Sequence, residues 1–444
     1  MISILKNRIV KSKTYKDLFD IPREILENKP CTKSCGKGIN IVILNTPCNG
    51  FGDLMFAHKL AAMLRSIYNC RVDIASTIPE SLKLLGESVE NIIALKTRNN
   101  DNECRRFQHL DNSGLTIKYD LLFVAPVNQD YSISYRDIKL LIPYSNRFNT
   151  FFFSEYNDDL YKEFDFPTGV GKGYYGLLIT KPKIKKITRK YKYALAYIAG
   201  DKWTSQIPLW RNCILGFVTM VAKKHKTENI FEVIGPEYPL KYIFNMNKER
   251  LNKFLGPYFG TIKFIDKKKK RSKNINNKPN MLILNASVFP VPNPKMLSLM
   301  KYSVKDILLT GDQSITDGLS CCPTKNIWYQ TVPWKYDFVD NLASEMPNKY
   351  LKDERTSCGN VKTTMFNSNY KTFISNNNFS INARKKLNGI ILTAKLLKNK
   401  KSWVYKYENK VLDTRGIRQF KNNVGLEDAF IKTQRKKRKS KRRK

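Results

Sequence analysis

Acidic side chains, histidines and organised cysteines are all scarce in this sequence of 444 residues. Only 38 Asp and Glu stand against 79 Lys and Arg, so the formal net charge at pH 7 is +41. A surplus of that size predicts attraction to polyanions, acidic membranes or phosphorylated ligands. The nine cysteines form no spaced framework, and Cys321 and Cys322 are neighbours, an awkward arrangement for an ordinary bridge. A reducing compartment is therefore expected. Cys31 and Cys35 have C-x3-C spacing, but no second cysteine pair or histidine cluster accompanies them, and no zinc site is expected.

Long apolar runs are missing too. No segment approaches the roughly 18 consecutive apolar residues of a membrane span. At the N-terminus, Lys6, Arg8, Lys11 and Lys13 are spread among isolated apolar residues, without the apolar stretch of a secretory signal. The chain reads as soluble and cytoplasmic, although a basic surface can also rest on anionic lipid. Two phosphate and metal motifs fail on inspection. Gly171-Lys172 is followed by Gly173 where a Walker loop needs Ser or Thr, and Phe166 stands where its leading glycine belongs. Asn157-Asp158-Asp159 does not make a D-x-D metal motif, and no metal or cofactor is expected.

What the sequence does contain is a pair of glycine-aspartate turns roughly 260 residues apart, each between an apolar strand and a helix. The first follows Ile41-Val42-Ile43-Leu44, breaks at Asn45, Pro47, Asn49, Gly50 and Gly52, and enters the helical pattern Leu54, Phe56, Leu60, Ala61, Leu64, with Asp53 where that helix begins. The second follows Ile307-Leu308-Leu309, breaks at Thr310-Gly311-Asp312-Gln313-Ser314, and leads through Ile315 to Cys322 into the strand Ile327-Trp328-Tyr329. Glycine lets backbone approach a ligand closely, and a helix N-terminus offers N–H groups to an anion such as a diphosphate. The ordinary alternative for either turn is a strand-to-helix connection with an N-cap.

At this length two domains plus appendages are expected, and 42% hydrophobic residues suffice for sizeable cores. Residues 1–38 are a basic lead-in. A first lobe, 39–180, carries strands at Ile41–Leu44, Arg71–Ala75, Ile92–Leu95 and Leu121–Val124, with helices between the earlier ones, and a further apolar run at Phe151–Tyr156. A basic linker, 181–192, leads to a second lobe, 193–345, with strands at Ala194–Ile198, Ile230–Gly235, Ile262–Ile265 and Met281–Leu284 and a helix over Arg211–Lys224. Strands separated by helical stretches predict parallel sheets covered by helices. The fold class expected is α/β, two Rossmann-like lobes facing one cleft. Residues 267–280, dense in Lys, Arg and Asn, read as a solvated loop. Residues 346–430 are an annex, either small or packed back across both lobes, with a helix at Ala383–Leu397, and 431–444 a basic tail expected to be disordered.

The two turns resemble those of the two-Rossmann-lobe nucleotide-sugar glycosyltransferases, the GT-B architecture. The resemblance covers residues 39–345. Asn49-Gly50-Phe51-Gly52-Asp53-Leu54 looks like the N-terminal loop of the heptosyltransferase-like branch, and Thr310-Gly311-Asp312-Gln313-Ser314 is similar to the loop that receives the donor in the C-terminal lobe. The resemblance implies Asp53 as general base, Gly50 and Gly52 as cleft loop, and Gly311, Asp312, Gln313 and Ser314 at the donor. Lys202, Lys335 and helix termini would meet the leaving-group charge, and Glu237 the ribose, although surface placement is the ordinary alternative for any lysine here. Trp203, Trp328 and Trp334 could flank a base or sugar, but aromatics beside strands more often fill cores. His58, five positions from Asp53, need not share its helix face. The Glu-rich donor signature of many retaining enzymes is absent from 310–340, so an inverting, metal-independent transfer from a nucleotide-activated sugar to an acceptor hydroxyl is implied.

The rival reading is a noncatalytic structural protein that binds polyanions or nucleic acid and is packaged in a virion. Arg435, Lys436, Lys437, Arg438, Lys439, Lys441, Arg442, Arg443 and Lys444 would make salt-dependent phosphate contacts without sequence preference. The same tail reads equally as a nuclear-localisation patch. The Lys- and Asn-rich composition is also that of proteins from AT-rich genomes, including large DNA viruses.

Overall fold

The computed structural model describes residues 38–47, 51–97, 110–111, 119–127, 150–158, 164–199, 210–332, 335–347, 349, 351–352, 363–366 and 370–398. Asn40–Arg384 form one compact unit, built on two large sheets beside a two-stranded antiparallel ladder of Lys96–Thr97 with Leu110–Asp111. A separate unit comprises Met1–Ile39 and Lys385–Lys444; in it Lys398 Nζ donates to the Gly38 carbonyl at 2.5 Å.

The first sheet is wholly parallel. It holds β1 (Asn40–Asn45), β2 (Arg71–Ser76), β3 (Ile92–Ala94), β4 (Leu121–Val127) and β5 (Thr150–Ser154), in the order β3-β2-β1-β4-β5. β1 is an unbroken apolar run because helices or chain cover both its faces, and Ile41 to Leu44 are fully buried. Between β1 and β2 runs α1 (Phe51–Tyr68), which carries Asp53 in its first turn and Arg65 in its last, complementing the helix dipole at both ends. Asn69 ends it in the left-handed conformation, φ +50°. α2 (Pro79–Leu85) connects β2 towards β3.

The second sheet is larger. Its parallel strands are β6 (Tyr193–Ala196), β7 (Ile230–Ile234), β8 (Thr261–Ile265), β10 (Met281–Asn285), β11 (Asp306–Thr310) and β12 (Asn326–Gln330). β9 (Lys270–Asn274) lies antiparallel on the edge beside β8, and the order is β9-β8-β10-β7-β6-β11-β12, continued by β14 (Thr363–Phe366) and β13 (Leu351–Lys352). The connecting helices are α3 (Trp210–Lys224), α4 (Glu237–Phe244), α5 (Lys248–Phe254), α6 (Asn293–Tyr302), α7 (Asp312–Cys321) and α8 (Tyr336–Glu345). Phe217, Val218 and Val221 of α3, Leu240 and Ile243 of α4, and Phe231, Val233, Ile262, Phe264, Leu282 and Leu284 of the strands share one core.

In each sheet the chain grows first to one side and then to the other. The reversal falls between β1 and β4 in the first and between β6 and β11 in the second. The two-lobed α/β expectation is met, with each glycine-aspartate turn at the reversal point of its sheet.

Two expectations are corrected. Residues 267–280 are not simply a solvated loop, because 270–274 pair with β8 as an edge strand. Its inward side is made of Arg271, stacked over Phe244 and Phe264 at 5.3 and 5.1 Å, and Lys273 over Phe244 at 4.9 Å. The long cationic side chains cover aromatic core, so the strand needs no apolar alternation. The helix after Thr310 begins at Asp312, three residues before the apolar pattern at Ile315.

Past 345 the chain visits both lobes. β13 and β14 extend the second sheet; then Leu177 donates to the Asn377 carbonyl at 2.7 Å and Phe379 to that of Leu177 at 2.8 Å. Phe379 reaches Phe153 and Phe166, themselves stacked 4.4 Å apart. Gly176 permits this approach, since a Cβ there would stand 2.4 Å from the Asn377 oxygen. α9 (Lys371–Asn376), α10 (Phe379–Asn382) and α11 (Arg384–Lys398) complete the described chain.

Candidate functional site

The carboxyl ends of the two sheets meet. On the first, Asn45 gathers the strand ends: its Nδ2 donates to the carbonyls of Ala125 at 2.9 Å and Asp53 at 3.1 Å, and its Oδ1 accepts from Ser76 Oγ at 3.4 Å. One side chain thereby ties β1, β2, β4 and the start of α1. On the second, Gln330 does the same work. It exchanges two hydrogen bonds with the Ala199 backbone, at 2.9 and 3.2 Å, while its carbonyl accepts from Thr310 Oγ1 at 3.2 Å.

The glycine-aspartate turns face one another across this junction. A Cβ built on Gly52 would lie 3.7 Å from Asp312 Oδ1. Gly311 enters α7 at φ +77°, a conformation that side-chain-bearing residues rarely adopt. Asp312 Oδ1 accepts from the Gln313 backbone N–H at 2.6 Å, and its Oδ2 pairs with Lys335 Nζ at 3.1 Å. Lys335 also pairs with Glu155, just past β5, so its ammonium bridges the lobes. Burial alone would lower the Lys335 pKa, but the carboxylates of Asp312, Glu155 and Asp53 more than offset it and hold the group well above the ordinary lysine value.

A second bridge lies deeper. Lys59 of α1 is fully buried, and its Nζ reaches Asp317 Oδ1 at 2.5 Å and Gln313 Oε1 at 3.0 Å, both on α7. Tyr156 packs between Phe56 of α1 and Phe338 of α8, 5.6 Å from each ring. Its hydroxyl accepts from the Leu178 N–H at 2.8 Å, and burial drives its pKa upward. Asn293, at the start of α6, donates to Met55 Sδ at 3.0 Å. Buried charges are tolerated only when paired, and here the partners come from opposite lobes.

The structure therefore brings together Gly52, Asp53, Gly311, Asp312, Gln313, Ser314 and Lys335, with Asp53 half-buried in the first turn of α1. Glu237 stands apart, exposed at the start of α4 and paired with Lys241 at 3.4 Å. Trp328 is core, its Nε1 donating to Asp306 at 3.2 Å. His58 pairs with buried Glu87 at 2.9 Å, alongside Arg65 at 2.6 Å. Gly50, Lys202, Trp203, Trp334 and the tail from Arg435 to Lys444 lie outside the described residues. Among the described residues no group of three His, Cys, Asp or Glu could hold a metal ion, and no helix is long and apolar enough to cross a membrane.

Sequence reasoning missed Lys59, Glu155, Tyr156 and Asp317. Lys59 carried a signal, because it sits three and four residues after Phe56 and Met55, inside the apolar stripe of α1. A lysine there requires a buried acceptor.

No family model matches the chain, and no curated protein matches it significantly. Among solved structures, E. coli heptosyltransferase WaaC with ADP is similar at 10% identity and a TM-score of 0.30, over 61% of this chain and 81% of that one. An alpha-glucosyltransferase in complex with UDP-glucose and DNA containing an abasic site is similar at 12% identity and a TM-score of 0.31, over 68% and 81%. Scores of this size leave the fold to be read from the strand order.

Proposed function

We propose that the protein transfers a sugar from a nucleotide-activated donor to an acceptor hydroxyl, with inversion and without a metal. The observation that carries this reading is the contact of two glycine-aspartate turns, Gly52 against Asp312, each at the reversal point of its own parallel sheet. Ligands of open α/β sheets bind in the crevice outside such points.

In this reading Asp53 takes the proton of the attacking hydroxyl. The first N–H groups of α7, from Gly311 to Ser314, face the donor diphosphate. Lys335 neutralises charge that develops on the leaving group, exchanging its contact with Asp312 for one with the diphosphate. Asp312, which would repel phosphate, accepts from a sugar hydroxyl instead. Lys202 supplies a further cation.

A second reading, a noncatalytic structural protein that binds polyanions or nucleic acid on a degenerate two-lobed fold, is supported by the same junction, since Asp312, Gln313, Lys59 and Lys335 already have partners there. Thermal unfolding of the full chain against a panel of nucleoside diphosphates and nucleotide sugars separates the two. Ligand at a hundred times its dissociation constant adds about 2.7 kcal/mol. A shift selective for one nucleotide sugar, reduced in Asp312→Ala, supports transfer and names the donor. No shift across the panel transfers support to the second reading.

A further inference from the structure

The β8–β9 hairpin concentrates charge that the sugar-transfer reading does not use. Residues 261–280 contain seven lysines and one arginine against a single acid, Asp266. That acid is spent inside the turn. Asp266 Oδ1 accepts from the N–H groups of Lys268 and Lys269 at 2.8 and 2.7 Å, and Oδ2 faces Arg271 at 3.6 Å. Arg271 and Lys273 lie on the inward side, over Phe244 and Phe264. Lys273 Nζ is further fixed by the carbonyls of Phe244 and Met246 at 2.8 and 3.1 Å.

Lys267, Lys268, Lys269 and Lys270 are different: all four are exposed, and none has an ion-pair partner among the described residues. Lys263 is half-exposed, on the same sheet face as Lys270 and Ser272 by register. Charged residues on an edge strand ordinarily prevent pairing with another sheet. That accounts for Lys270, within the ladder, but not for Lys267 to Lys269, which lie in the turn. The turn follows the carboxyl end of β8, which is parallel to β10, β7, β6 and β11. It therefore projects from the same edge of the sheet as Gly311. Four strand spacings separate β8 from β11, about 19 Å.

We propose that Lys263 and Lys267 to Lys270 dock the phosphodiester backbone of a nucleic acid, without reading its sequence. A rigid turn presenting unpaired ammonium groups suits a regularly charged polymer, whose counterions it releases. An anionic membrane is the weaker match. Surfaces that settle on lipid add apolar anchors to their basic residues, and none of the large exposed hydrophobic side chains lies between 261 and 280.

The test compares the full chain with a variant carrying K267Q, K268Q, K269Q and K270Q, using a fluorescent random-sequence duplex across a salt series. The variant is expected to bind more weakly, and its slope of log affinity against log salt to be shallower by about 3.6, four contacts at about 0.9 each. A variant with all four lysines changed to arginine should bind as the wild type does. The single change Lys268→Glu, remote from any packed side chain, gives the same direction of effect should the fourfold variant fold poorly. Unchanged affinity and slope in the glutamine and glutamate variants would overturn the proposal and leave duplex binding to other basic segments. Loss of sedimentation with phosphatidylserine vesicles while duplex binding stays intact would overturn it in favour of a membrane.

Discussion

Lys59 Nζ and Asp317 Oδ1 lie 2.5 Å apart, on helices of different lobes, with both side chains almost wholly withdrawn from water. Removing one partner strands the other. Lys59→Met is expected to cost about 3–5 kcal/mol, because Asp317 is left buried and uncompensated. Changing both, Lys59→Met with Asp317→Leu, should recover much of that loss. Denaturant unfolding of Lys59→Met, Asp317→Leu and the double variant in a double-mutant cycle checks this; equal losses in Lys59→Met and the double variant would contradict it.

Lys335 is raised above the ordinary lysine value by Asp312, Glu155 and Asp53 despite its burial. A raised basic group contributes its full stability below its unfolded pKa, about 10.4, and loses it as pH climbs through the folded value. Lys335→Met should therefore lower the melting temperature by a constant amount from pH 7 to 10, and the gap should close only above that range. A gap that closed near pH 8 would show that the pairing is not what stabilises the junction.

Glu87 has the opposite sign. Burial alone would raise its pKa, but His58 and Arg65 outweigh it and hold the carboxyl below its ordinary value. Its contribution is present above about pH 4.3 and is lost as pH falls through the lowered folded value. Glu87→Gln should flatten the acid limb of the stability profile, measured as melting temperature from pH 7 to 3.

Cys70, Cys213 and Cys322 are buried, and burial pushes each thiol up to about 12. Without thiolate they should resist alkylation in the folded chain at pH 8. Mass spectrometry after iodoacetamide treatment, with and without denaturant, reads this directly; rapid native labelling at any of the three would contradict it.

If Asp53 is the base of a transfer reaction, Asp53→Asn should lower turnover by about 10²–10⁴-fold. The thermal shift given by the nucleotide sugar should be kept. Single-turnover product formation distinguishes this from loss of binding, and full activity in the variant would remove Asp53 from the chemistry.

Much of the scaffold was legible because parallel strands buried on both faces are nearly uniform in composition. Ile41 to Leu44 and Ile307 to Leu309 announce themselves as such. The turns at Gly52 and Gly311 were legible for a related reason, since glycine punctuates where strand gives way to helix. What the sequence did not disclose is who meets whom. Lys335 was one lysine among many, and only the approach of Glu155, 180 positions away, makes it a buried bridge. The β9 strand escaped because Lys, Arg and Ser fill it, and its inward face is built from the Arg271 guanidinium and Lys273 ammonium lying over Phe244 and Phe264.

The return of residues 377–383 to Leu177, after β13 and β14 have joined the second sheet, means that the polypeptide passes between the lobes twice. Two straps leave less freedom than one. A single connection lets lobes swivel and separate, whereas a double connection confines them to rocking about the line through both crossings. Any opening that admits a ligand between Gly52 and Asp312 would then be a hinge stroke that must also respect the contact of Leu177 with Asn377 and Phe379, far along the chain from either turn.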